Sequence, residues 1–517
     1  MRHITTRHVA VTALIVAFLF SASTKADVTL PAMFRDHMVL QRDTPVAVWG
    51  WADPGEVVTG TIAEQQFEAT ADKNGRWSAK LKPLTVGDPL TMKVLGTDSE
   101  TVIADILVGE VWLCSGQSNM AMTVSRVTNA EQEAASADHP KVRMFKVSSG
   151  HALTPQDRCE GDWSVCSPAT VNGFSATAYF FGRSLHKELD VPIGLINSSV
   201  GGTSIESWTS MPAQEAVPEI GPRLDDWKQA DAEFDAEAAK ERFERAMEQW
   251  EKRRAKAKEA GKPIPRRPRQ SAQPREDRNY PANLFNGKIQ PLIPYSIRGA
   301  IWYQGENSSG RGFAHLYHDQ LETLIGDWRK RWAQGDFPFA WVQLPNYKQP
   351  QQQPNETSGW VLVQEGMLKT LCVPNTGMAV TIDIGEAGDI HPRNKQDVGK
   401  RLALWALASV YGEDITATGP IYKSCKRDGN RVIVEFDHVG GGLAAKDDED
   451  LKGFVIAGAD RKFVWADAKI EGENSCRIES RRCGAGQRAL RMGCESDLQP
   501  VQQGRFAGIA IPDRRLG

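Results

Sequence analysis

The chain has 517 residues, which is too long for one hydrophobic core and predicts roughly three domains. Hydrophobic residues make up 41% of it and charged residues 25%, proportions that are ordinary for a soluble globular protein. The formal net charge of -3 provides no electrostatic attraction to nucleic acid or to an anionic membrane, so neither is expected as a partner.

The N-terminus has the layout of a secretory signal peptide. Arg2 and Arg7 precede an apolar run over residues 9–20, which is followed by small residues and then by Thr24-Lys25-Ala26. Cleavage is predicted after Ala26. The alternative is an uncleaved membrane anchor, but the apolar run is short for a helix that must cross a hydrocarbon core of about 30 Å. The sequence therefore predicts an exported protein, periplasmic or secreted, with no stable membrane insertion after cleavage.

Cysteine usage leaves one alternative open. Export permits disulfides, and among the eight cysteines Cys159 and Cys166 are the closest pair ahead of the C-terminal tail. They form either a disulfide or two free thiols. No cysteine and histidine cluster has the spacing of a zinc site.

Strand and helix patterns divide the rest of the chain into three parts. Residues 27–106 contain short strand-like runs separated by turn signals, which predicts a small β-sandwich. From residue 107 to 412, apolar strands such as 299–303 and 339–342 alternate with helical segments, which indicates an α/β domain with a largely parallel sheet. Residues 413–517 return to strands and predict a C-terminal β domain.

The α/β part is interrupted over about residues 222–280. Phe243, Met247 and Trp250 recur at helical spacing in a stretch rich in Ala, Glu, Lys and Arg. This pattern predicts one long amphipathic helix over residues 224–262, followed by a loop rich in Pro and Arg. A helical insertion packed on the core is favoured over a partner-binding arm.

The tail from Asn474 loses its periodicity and gains Arg and Cys. A DNA sequence can be written that encodes this tail and whose next reading frame gives strand-like runs with turn signals. We therefore hypothesise that the tail is the product of a frameshift near Glu473. Sequencing an intact gene in the printed frame across this point would refute the hypothesis.

A candidate nucleophile follows the apolar strand that contains residues 111–114. Ser118 lies in the glycine-containing turn Gly116-Gln117-Ser118-Asn119, ahead of a predicted helix, and is therefore expected at the carboxyl edge of the sheet. There its own backbone N–H is free to face an oxyanion. The turn differs from the G-x-S-x-G elbow, because Met120 occupies the position of the last glycine.

A serine hydroxyl needs a base, and His391 is the best candidate in the chain. It lies in the segment Asp389-Ile390-His391-Pro392, a loop just ahead of a helix. A carboxylate two residues before the histidine can accept a hydrogen bond from Nδ1 and fix the tautomer of the ring. The competing interpretation is a polar loop that only leads into the helix.

Acyl transfer also needs hydrogen-bond donors for the developing oxyanion. Gly201 and Gly202 follow a predicted strand, and Gln304 follows another. Glycine allows a backbone N–H to approach a ligand closely, although such pairs usually mark only a tight turn. Glu306, two residues after Gln304, keeps a glycosidase-type acid as an alternative.

Five ordered blocks together resemble the SGNH, or GDSL-type, hydrolases, and specifically their sialate O-acetylesterase branch. The resemblance covers roughly residues 28–467. The blocks are Leu40-Gln41-Arg42 with Val48-Trp49-Gly50-Trp51; Gly109-Glu110-Val111-Trp112 running into Gly116-Gln117-Ser118-Asn119-Met120; Gly201-Gly202-Thr203; Trp302-Tyr303-Gln304-Gly305-Glu306; and Asp389-Ile390-His391-Pro392-Arg393-Asn394-Lys395-Gln396.

The resemblance implies a flavodoxin-like three-layer α/β/α SGNH hydrolase domain flanked by small β-sandwich domains. It implies a carbohydrate O-acetylesterase that needs no metal or cofactor and whose partner is an acetylated carbohydrate. Ser118 is then the nucleophile, His391 the base and Asp389 the acid that orients it. Oxyanion or substrate contacts are expected from a second set of residues: Gly201, Gly202, Gln304, Glu306 and Asn119.

Two departures from the family pattern keep alternatives open. Gln304 stands where SGNH enzymes commonly have Asn, and Asp389 lies two residues before the histidine where three are usual, so Asp383 is the second candidate acid. An acetylxylan-type esterase is the alternative substrate class. A catalytically inactive sugar-binding protein is the alternative of another class, although the joint presence of Ser118, His391 and Asp389 argues against it.

Overall fold

The computed structural model describes residues 27–310, 312–354, 358–429, 431–445, 451, 453–457 and 462–480, together with the backbone of 509–510. The predicted signal peptide and most of the tail after residue 480 lie outside the described residues. The helices are α1 Ser118–Ala121, α2 Ala130–Ala135, α3 Ala176–Leu189, α4 Met211–Glu215, α5 Gly221–Ala232, α6 Ala236–Glu259, α7 Tyr317–Trp332, α8 Gly359–Lys369 and α9 Lys395–Ser409.

The strands fall into an N-terminal, a central and a C-terminal group. They are β1 Val39–Gln41, β2 Val46–Trp51, β3 Val57–Ile62, β4 Gln65–Thr70, β5 Arg76–Leu81, β6 Leu90–Leu95, β7 Glu100–Gly116, β8 His139–Val147, β9 Gly161–Cys166, β10 Ile193–Ser199, β11 Gly299–Tyr303, β12 Phe339–Val342, β13 Thr376–Ala379, β14 Ile421–Asp428, β15 Arg431–Asp437, β16 Ala444–Ala445, β17 Val455–Ala457, β18 Phe463–Ile470, β19 Ser475–Ser480 and β20 Ile509–Ala510.

A mostly parallel central sheet has the order β13-β12-β11-β7-β10-β8-β9, in which only β9 is antiparallel to its neighbour. Counted in chain order, the six parallel strands β7, β8, β10, β11, β12 and β13 lie in the spatial order 2-3-1-4-5-6, so the strand order reverses beside β7. Doubly wound sheets bind ligands where the strand order reverses, at the carboxyl ends of the strands. The predicted mixed α/β class with a largely parallel sheet is confirmed.

Successive side chains of β7 point to opposite faces of the sheet, and helices cover each face. Val111 and Leu113 belong to one apolar cluster, while Trp112 and Cys114 belong to the other, as the two-residue period of a strand requires. The first cluster includes residues of α7 and α8, and the second includes residues of α3 and α9. The central domain therefore has three layers, with the sheet between two pairs of helices.

The N-terminal β region is joined to the central sheet by one continuous strand. β7 crosses the boundary expected between residues 106 and 107: its first half pairs antiparallel with β6, and its second half pairs parallel with β10 and β11. Tyr295 reinforces this connection, because its ring centroid lies 5.5 Å from that of Phe34 and its hydroxyl donates to the carbonyl oxygen of Val39 at 2.7 Å. The two regions share one hydrophobic core.

The insertion contains two helices where one long helix was predicted. α5 ends at Ala232, and α6 begins after Asp235, whose carboxylate accepts from the backbone N–H of Ala238 at 2.9 Å. The capping carboxylate satisfies a free N–H at the start of α6 and so stabilises a new helix at this point. The predicted apolar stripe ends at Trp250, which is buried and donates to the carbonyl oxygen of Pro265 at 2.7 Å.

The C-terminal region forms an antiparallel sheet of order β14-β15-β19-β18-β17. The first residues after the expected break at Asn474 form β19, which lies between β15 and β18 and buries Cys476 and Ile478. Cys483 and Cys494 lie outside the described residues. Upstream, Cys159 and Cys166 are free thiols, so the disulfide alternative is wrong.

Among the residues with described positions, no helix is both long and apolar enough to cross a lipid bilayer.

A buried ionic cluster holds the junction between the N-terminal region and the central sheet. The carboxylate of Glu110, on β7, accepts from Arg42 at 2.5 Å, from Arg298 at 2.6 and 3.1 Å, and from Gln41 at 3.1 Å. Burial by itself raises the pKa of Glu110, but the bonds and charges of the two arginines together hold this pKa below its ordinary value. The carboxylate of Glu110 is therefore charged, and the two guanidinium groups balance its charge.

Replacement of Glu110 by Gln leaves two half-buried guanidinium groups without a counter-charge. We expect Glu110→Gln to lower the free energy of unfolding by about 3 kcal/mol, as is typical when one partner of a buried ion pair is removed. Glu100→Gln is the control, because Glu100 is exposed and lies 3.8 Å from Lys93, and it should cost less than about 0.5 kcal/mol. Urea unfolding followed by tryptophan fluorescence measures both, and equal midpoints would contradict the expectation.

Candidate active site

The turn after β7 places Ser118 at the carboxyl edge of the central sheet. Gly116 has φ +135°, and a Cβ at this position would lie 2.2 Å from the carbonyl oxygen of Tyr303, so only glycine fits. The backbone N–H of Gln117 donates to the same oxygen at 2.9 Å. Ser118 then begins α1 and remains partly exposed, at the point where the strand order reverses.

His391 lies next to Ser118 although 273 positions separate them in sequence. The hydroxyl of Ser118 and Nε2 of His391 are 2.8 Å apart, which is hydrogen-bonding distance. Burial lowers the pKa of His391, while the nearby carboxylate of Asp389 acts in the opposite direction and the charges of Lys395 and Arg126 lower it. A lowered pKa keeps the imidazole neutral, and therefore able to accept a proton, over more of the acidic range.

The two candidate acids have different surroundings. One carboxylate oxygen of Asp389 lies 3.6 Å from Nδ1 of His391 and accepts from the backbone N–H of the same residue at 2.9 Å. This carboxylate is adjacent to the ring but slightly beyond hydrogen-bonding distance from it. Asp383 instead accepts from two nitrogens of Arg401, at 2.5 and 2.7 Å.

The glycine loop after β10 packs against Ser118. A Cβ on Gly201 would lie 3.3 Å from Cβ of Ser118, and Gly202 has φ +72°, a conformation that favours glycine. The backbone N–H of Val200 donates to the carbonyl oxygen of Gly116 at 3.1 Å, which fixes the start of the loop. The backbone of Gly201 is therefore adjacent to Ser118.

Gln304 is buried and connects the loops from within. Its amide nitrogen is within hydrogen-bonding distance of three acceptors, namely the side chain of Gln117, the carbonyl oxygen of Thr203 and the hydroxyl of Ser308, at 3.3, 3.0 and 3.2 Å. Its amide oxygen accepts from the hydroxyl of Tyr317 at 2.9 Å. Both amide hydrogens thus have acceptors within the chain, and the side chain connects the turn that contains Ser118 to the glycine loop.

Asn119 and Glu306 are also buried, and they contact each other. The amide nitrogen of Asn119 donates to one carboxylate oxygen of Glu306 and, at 3.0 Å, to the carbonyl oxygen of Ile390. Burial raises the pKa of Glu306 above its ordinary value. The Glu306 carboxylate lies beneath the site and is not positioned to protonate a glycosidic oxygen, so the geometry gives no support to a glycosidase.

Lys395 is a residue of the site that sequence reasoning did not assign. It begins α9, is fully buried, and donates from Nζ to the side-chain oxygen of Asn119 and to the carbonyl oxygen of Pro392, both at 2.7 Å. A lysine in the first turn of a helix ordinarily lies in solvent. The available signal was its position four residues after His391, at the start of a helix.

In the described parts of the chain, no three His, Cys, Asp or Glu side chains converge in a way that could hold a metal ion.

A family model, curated relatives and a solved structure all indicate the same family of carbohydrate esterases. Residues 108–250 and 279–407 match the family model described as carbohydrate esterase, sialic acid-specific acetylesterase. The sialate O-acetylesterase of Mus musculus is 32% identical over 430 residues, 75% of this chain and 74% of that protein, and that of Homo sapiens is 32% identical over 428 residues, covering 75% and 72%. A crystal structure of a carbohydrate acetylesterase from Xanthomonas citri superposes with a TM-score of 0.75 at 31% identity, covering 94% of this chain and 97% of that one.

The surroundings of His391 make its titration predictable. We expect an imidazole pKa below 6.5 in the wild-type protein, because burial disfavours the charged ring. Asp389→Asn should lower this pKa further, since a carboxylate that favours the imidazolium is removed. Asp383→Asn should leave it unchanged, because that carboxylate is paired with Arg401.

NMR titration of the imidazole measures these values, with His391→Gln used to assign the signal. A shift of the His391 pKa in Asp383→Asn and none in Asp389→Asn would reverse the assignment of the acid.

Proposed function

This chain belongs to the sialic acid-specific acetylesterase family of carbohydrate esterases, and we propose that it hydrolyses O-acetyl esters of sialic acids. The family consists of carboxylic-ester hydrolases. The observation that carries the proposal is the 2.8 Å contact between the hydroxyl of Ser118 and Nε2 of His391 at the carboxyl edge of the sheet. This contact also argues against the inactive sugar-binding alternative, which has no use for an activated hydroxyl.

The proposed reaction proceeds through an acetyl-enzyme. His391 accepts the proton of Ser118 through Nε2 as the hydroxyl oxygen attacks the acetyl carbonyl carbon. Collapse of the tetrahedral intermediate breaks the ester bond, and the sugar oxygen leaves with the proton from His391. Water then attacks the acetyl group, again losing a proton to His391, and acetate is released as Ser118 regains its proton.

Asp389 is the proposed third member of the triad. Its carboxylate lies 3.6 Å from Nδ1 of His391, and a small rotation of either side chain would produce a hydrogen bond. Its charge favours the imidazolium that forms when the serine loses its proton. Asp383 is less suited to this role, because Arg401 already neutralises it.

The proposed oxyanion donors are the backbone N–H groups of Ser118 and of Gly201 or Gly202. The packing of Gly201 against Ser118 supports this assignment, because an acetyl group attached to the serine oxygen would lie beside the glycine loop. The placement of these parts supports an SGNH hydrolase fold: Ser118 follows β7, Gly201 follows β10 and Gln304 follows β11, and these three strands are neighbours in the sheet.

An unpaired guanidinium beside the site favours an acidic sugar over acetylxylan. Nη2 of Arg278 lies 3.5 Å from the point that a Cβ on Gly202 would occupy, and within the described residues this side chain has no hydrogen-bond or ion-pair partner. Its neighbour Asn279 is buried and accepts from the backbone N–H of Ser204 at 3.0 Å, which anchors the segment to the glycine loop. Guanidinium groups bind carboxylates, which sialic acids carry and acetylxylan lacks.

The predicted signal peptide supports a second proposal, that the protein is exported to the periplasm or secreted. Cleavage after Ala26 would release the esterase outside the cytoplasm, where glycan-linked sialic acids are accessible.

The nucleophile is tested by removing its hydroxyl. We expect Ser118→Ala to lower kcat for p-nitrophenyl acetate by on the order of 10³-fold or more, as in other serine triads. Ser78→Ala, on the exposed face of β5, is the matched control and should retain wild-type activity. Steady-state kinetics on purified variants measure both, and a Ser118→Ala rate equal to wild type would end the esterase proposal.

The substrate class is tested by removing the charge of Arg278. We expect Arg278→Gln to lower kcat/KM for an O-acetylated sialic acid by about tenfold, the value of one charge-assisted hydrogen bond, and to leave p-nitrophenyl acetate hydrolysis unchanged. Arg253→Gln, at an exposed position of α6, is the control. Equal losses on acetylated sialic acid and on acetylxylan oligosaccharides would remove the argument for an acidic substrate.

A further inference from the structure

A chain of buried polar side chains lies directly beneath the Ser118–His391 pair. Asn119, which follows the nucleophile, donates to Glu306 and, at 3.0 Å, to the carbonyl oxygen of Ile390. Lys395 donates from Nζ to the side-chain oxygen of Asn119 and to the carbonyl oxygen of Pro392, both at 2.7 Å. These contacts join three segments that are distant in sequence.

The two carbonyl groups in this chain flank His391. The carbonyl of residue 390 precedes the histidine and is held by Asn119, while the carbonyl of residue 392 follows it and is held by Lys395. Because Asn119 is itself the neighbour of Ser118, every one of these bonds constrains the position of the imidazole relative to the hydroxyl. An error of about 1 Å in such a distance can cost on the order of 10²-fold in rate.

We propose that Lys395 is a positioning residue that clamps the His391 loop to the nucleophile and supplies a buried positive charge that keeps the imidazole neutral. The proposal rests on the function proposed above, because it concerns the same serine and histidine. It assigns a role to a side chain that touches neither the substrate nor the reacting atoms.

Burial argues that this charge serves more than structure. Lys395 is fully buried, and its ammonium lies 5.1 Å from the ring centroid of Tyr303. Asn119 lies between it and Glu306, whose second carboxylate oxygen is buried and has no hydrogen-bond partner in the described part of the chain. A buried lysine costs free energy that an apolar side chain of similar size would not.

Several charged groups face Lys395 and its target. The carboxylates of Glu306, Glu386 and Asp389 favour the ammonium, whereas burial opposes them and lowers the pKa of Lys395 to about 7. The Lys395 charge lowers the pKa of His391, as that of Arg126 does, and Asp389 raises it. Below neutral pH the ammonium is the dominant form, so its effect on the imidazole is strongest where protonation of His391 would stop catalysis.

Removal of the ammonium raises the pKa of His391, so the imidazole becomes protonated at higher pH and the acid limb of kcat/KM moves upward. Loss of the clamp alone lowers kcat without this movement.

Lys395→Met tests both parts at once, because it removes the charge and both hydrogen bonds while it preserves most of the volume. We expect kcat for p-nitrophenyl acetate to fall by about 10- to 100-fold with KM changed less than about threefold, and both the acid midpoint and the His391 pKa from NMR to rise. Lys395→Arg should restore the midpoint, because it restores the charge. Lys187→Met, an exposed lysine on α3, is the matched control.

Asn119→Ser tests the effect of the hydrogen bonds separately from the effect of the Lys395 charge. It also provides a test of the inference if Lys395→Met does not fold. It breaks the bonds to the carbonyl oxygen of Ile390 and to Lys395 but leaves the ammonium, so kcat should fall while the acid midpoint stays. Wild-type kcat and midpoint in folded Lys395→Met, or wild-type kcat in Asn119→Ser, would overturn the inference. Activity retained by Ser118→Ala would instead overturn the proposed function, so the two failures are distinguishable.

Discussion

The parallel pairing of β7 with β10 on one side and with β11 on the other brings together three of the loops that build the site. Ser199 pairs with Gly116 on one side, and Tyr303 pairs with it on the other, so the three strands end together. Ser118, the glycine loop and Gln304 follow these three ends. A register shift of one residue in either pairing would separate the serine from its neighbours, and it would also exchange the two apolar faces of the strand.

The electrostatic state of His391 is a balance between burial and the carboxylate of Asp389. Burial favours the neutral ring, which the first step of the proposed mechanism needs, and Asp389 favours the imidazolium, which that proposed step creates. Asp389 is half exposed, so water moderates its influence on the ring. The partial opposition of these effects leaves an imidazole that is neutral at rest and can still accept a proton.

Sequence reasoning identified those features that depend on local pattern. Residues 299–303 and 339–342 were predicted as strands and form β11 and β12, because apolar runs of this length must be buried inside a parallel sheet. The break at Asp235 was missed, since the flanking Ala- and Glu-rich segments have one continuous helical pattern and the cap is a single residue. The expected boundary at residue 106 was crossed by β7, because strand propensity carries no information on where two sheets meet.

The candidate site was predictable only where its residues have a local sequence pattern. The turn at Ser118 and the loop at His391 have local signatures, and the family resemblance joined them before their 2.8 Å contact was known. The proposed role of Lys395 depends on Asn119, which lies 276 positions away in sequence, and on Glu306, which follows β11. No local pattern signals such a meeting. The amide of Gln304 was expected at the oxyanion, but its hydrogen bonds within the chain become visible only in three dimensions.

Two buried glutamates show how the same residue type serves different ends in one fold. Glu110 has two arginines around it, its pKa is lowered, and its charge is matched by direct bonds, as expected of a group that holds two regions together. Glu306 has a raised pKa, one unbonded oxygen and a lysine reached only through Asn119. A network left incompletely matched is costly in a core, and strongly perturbed groups concentrate at functional sites. The incomplete network lies beneath Ser118 and His391, and the complete one lies at the junction, where only stability is required.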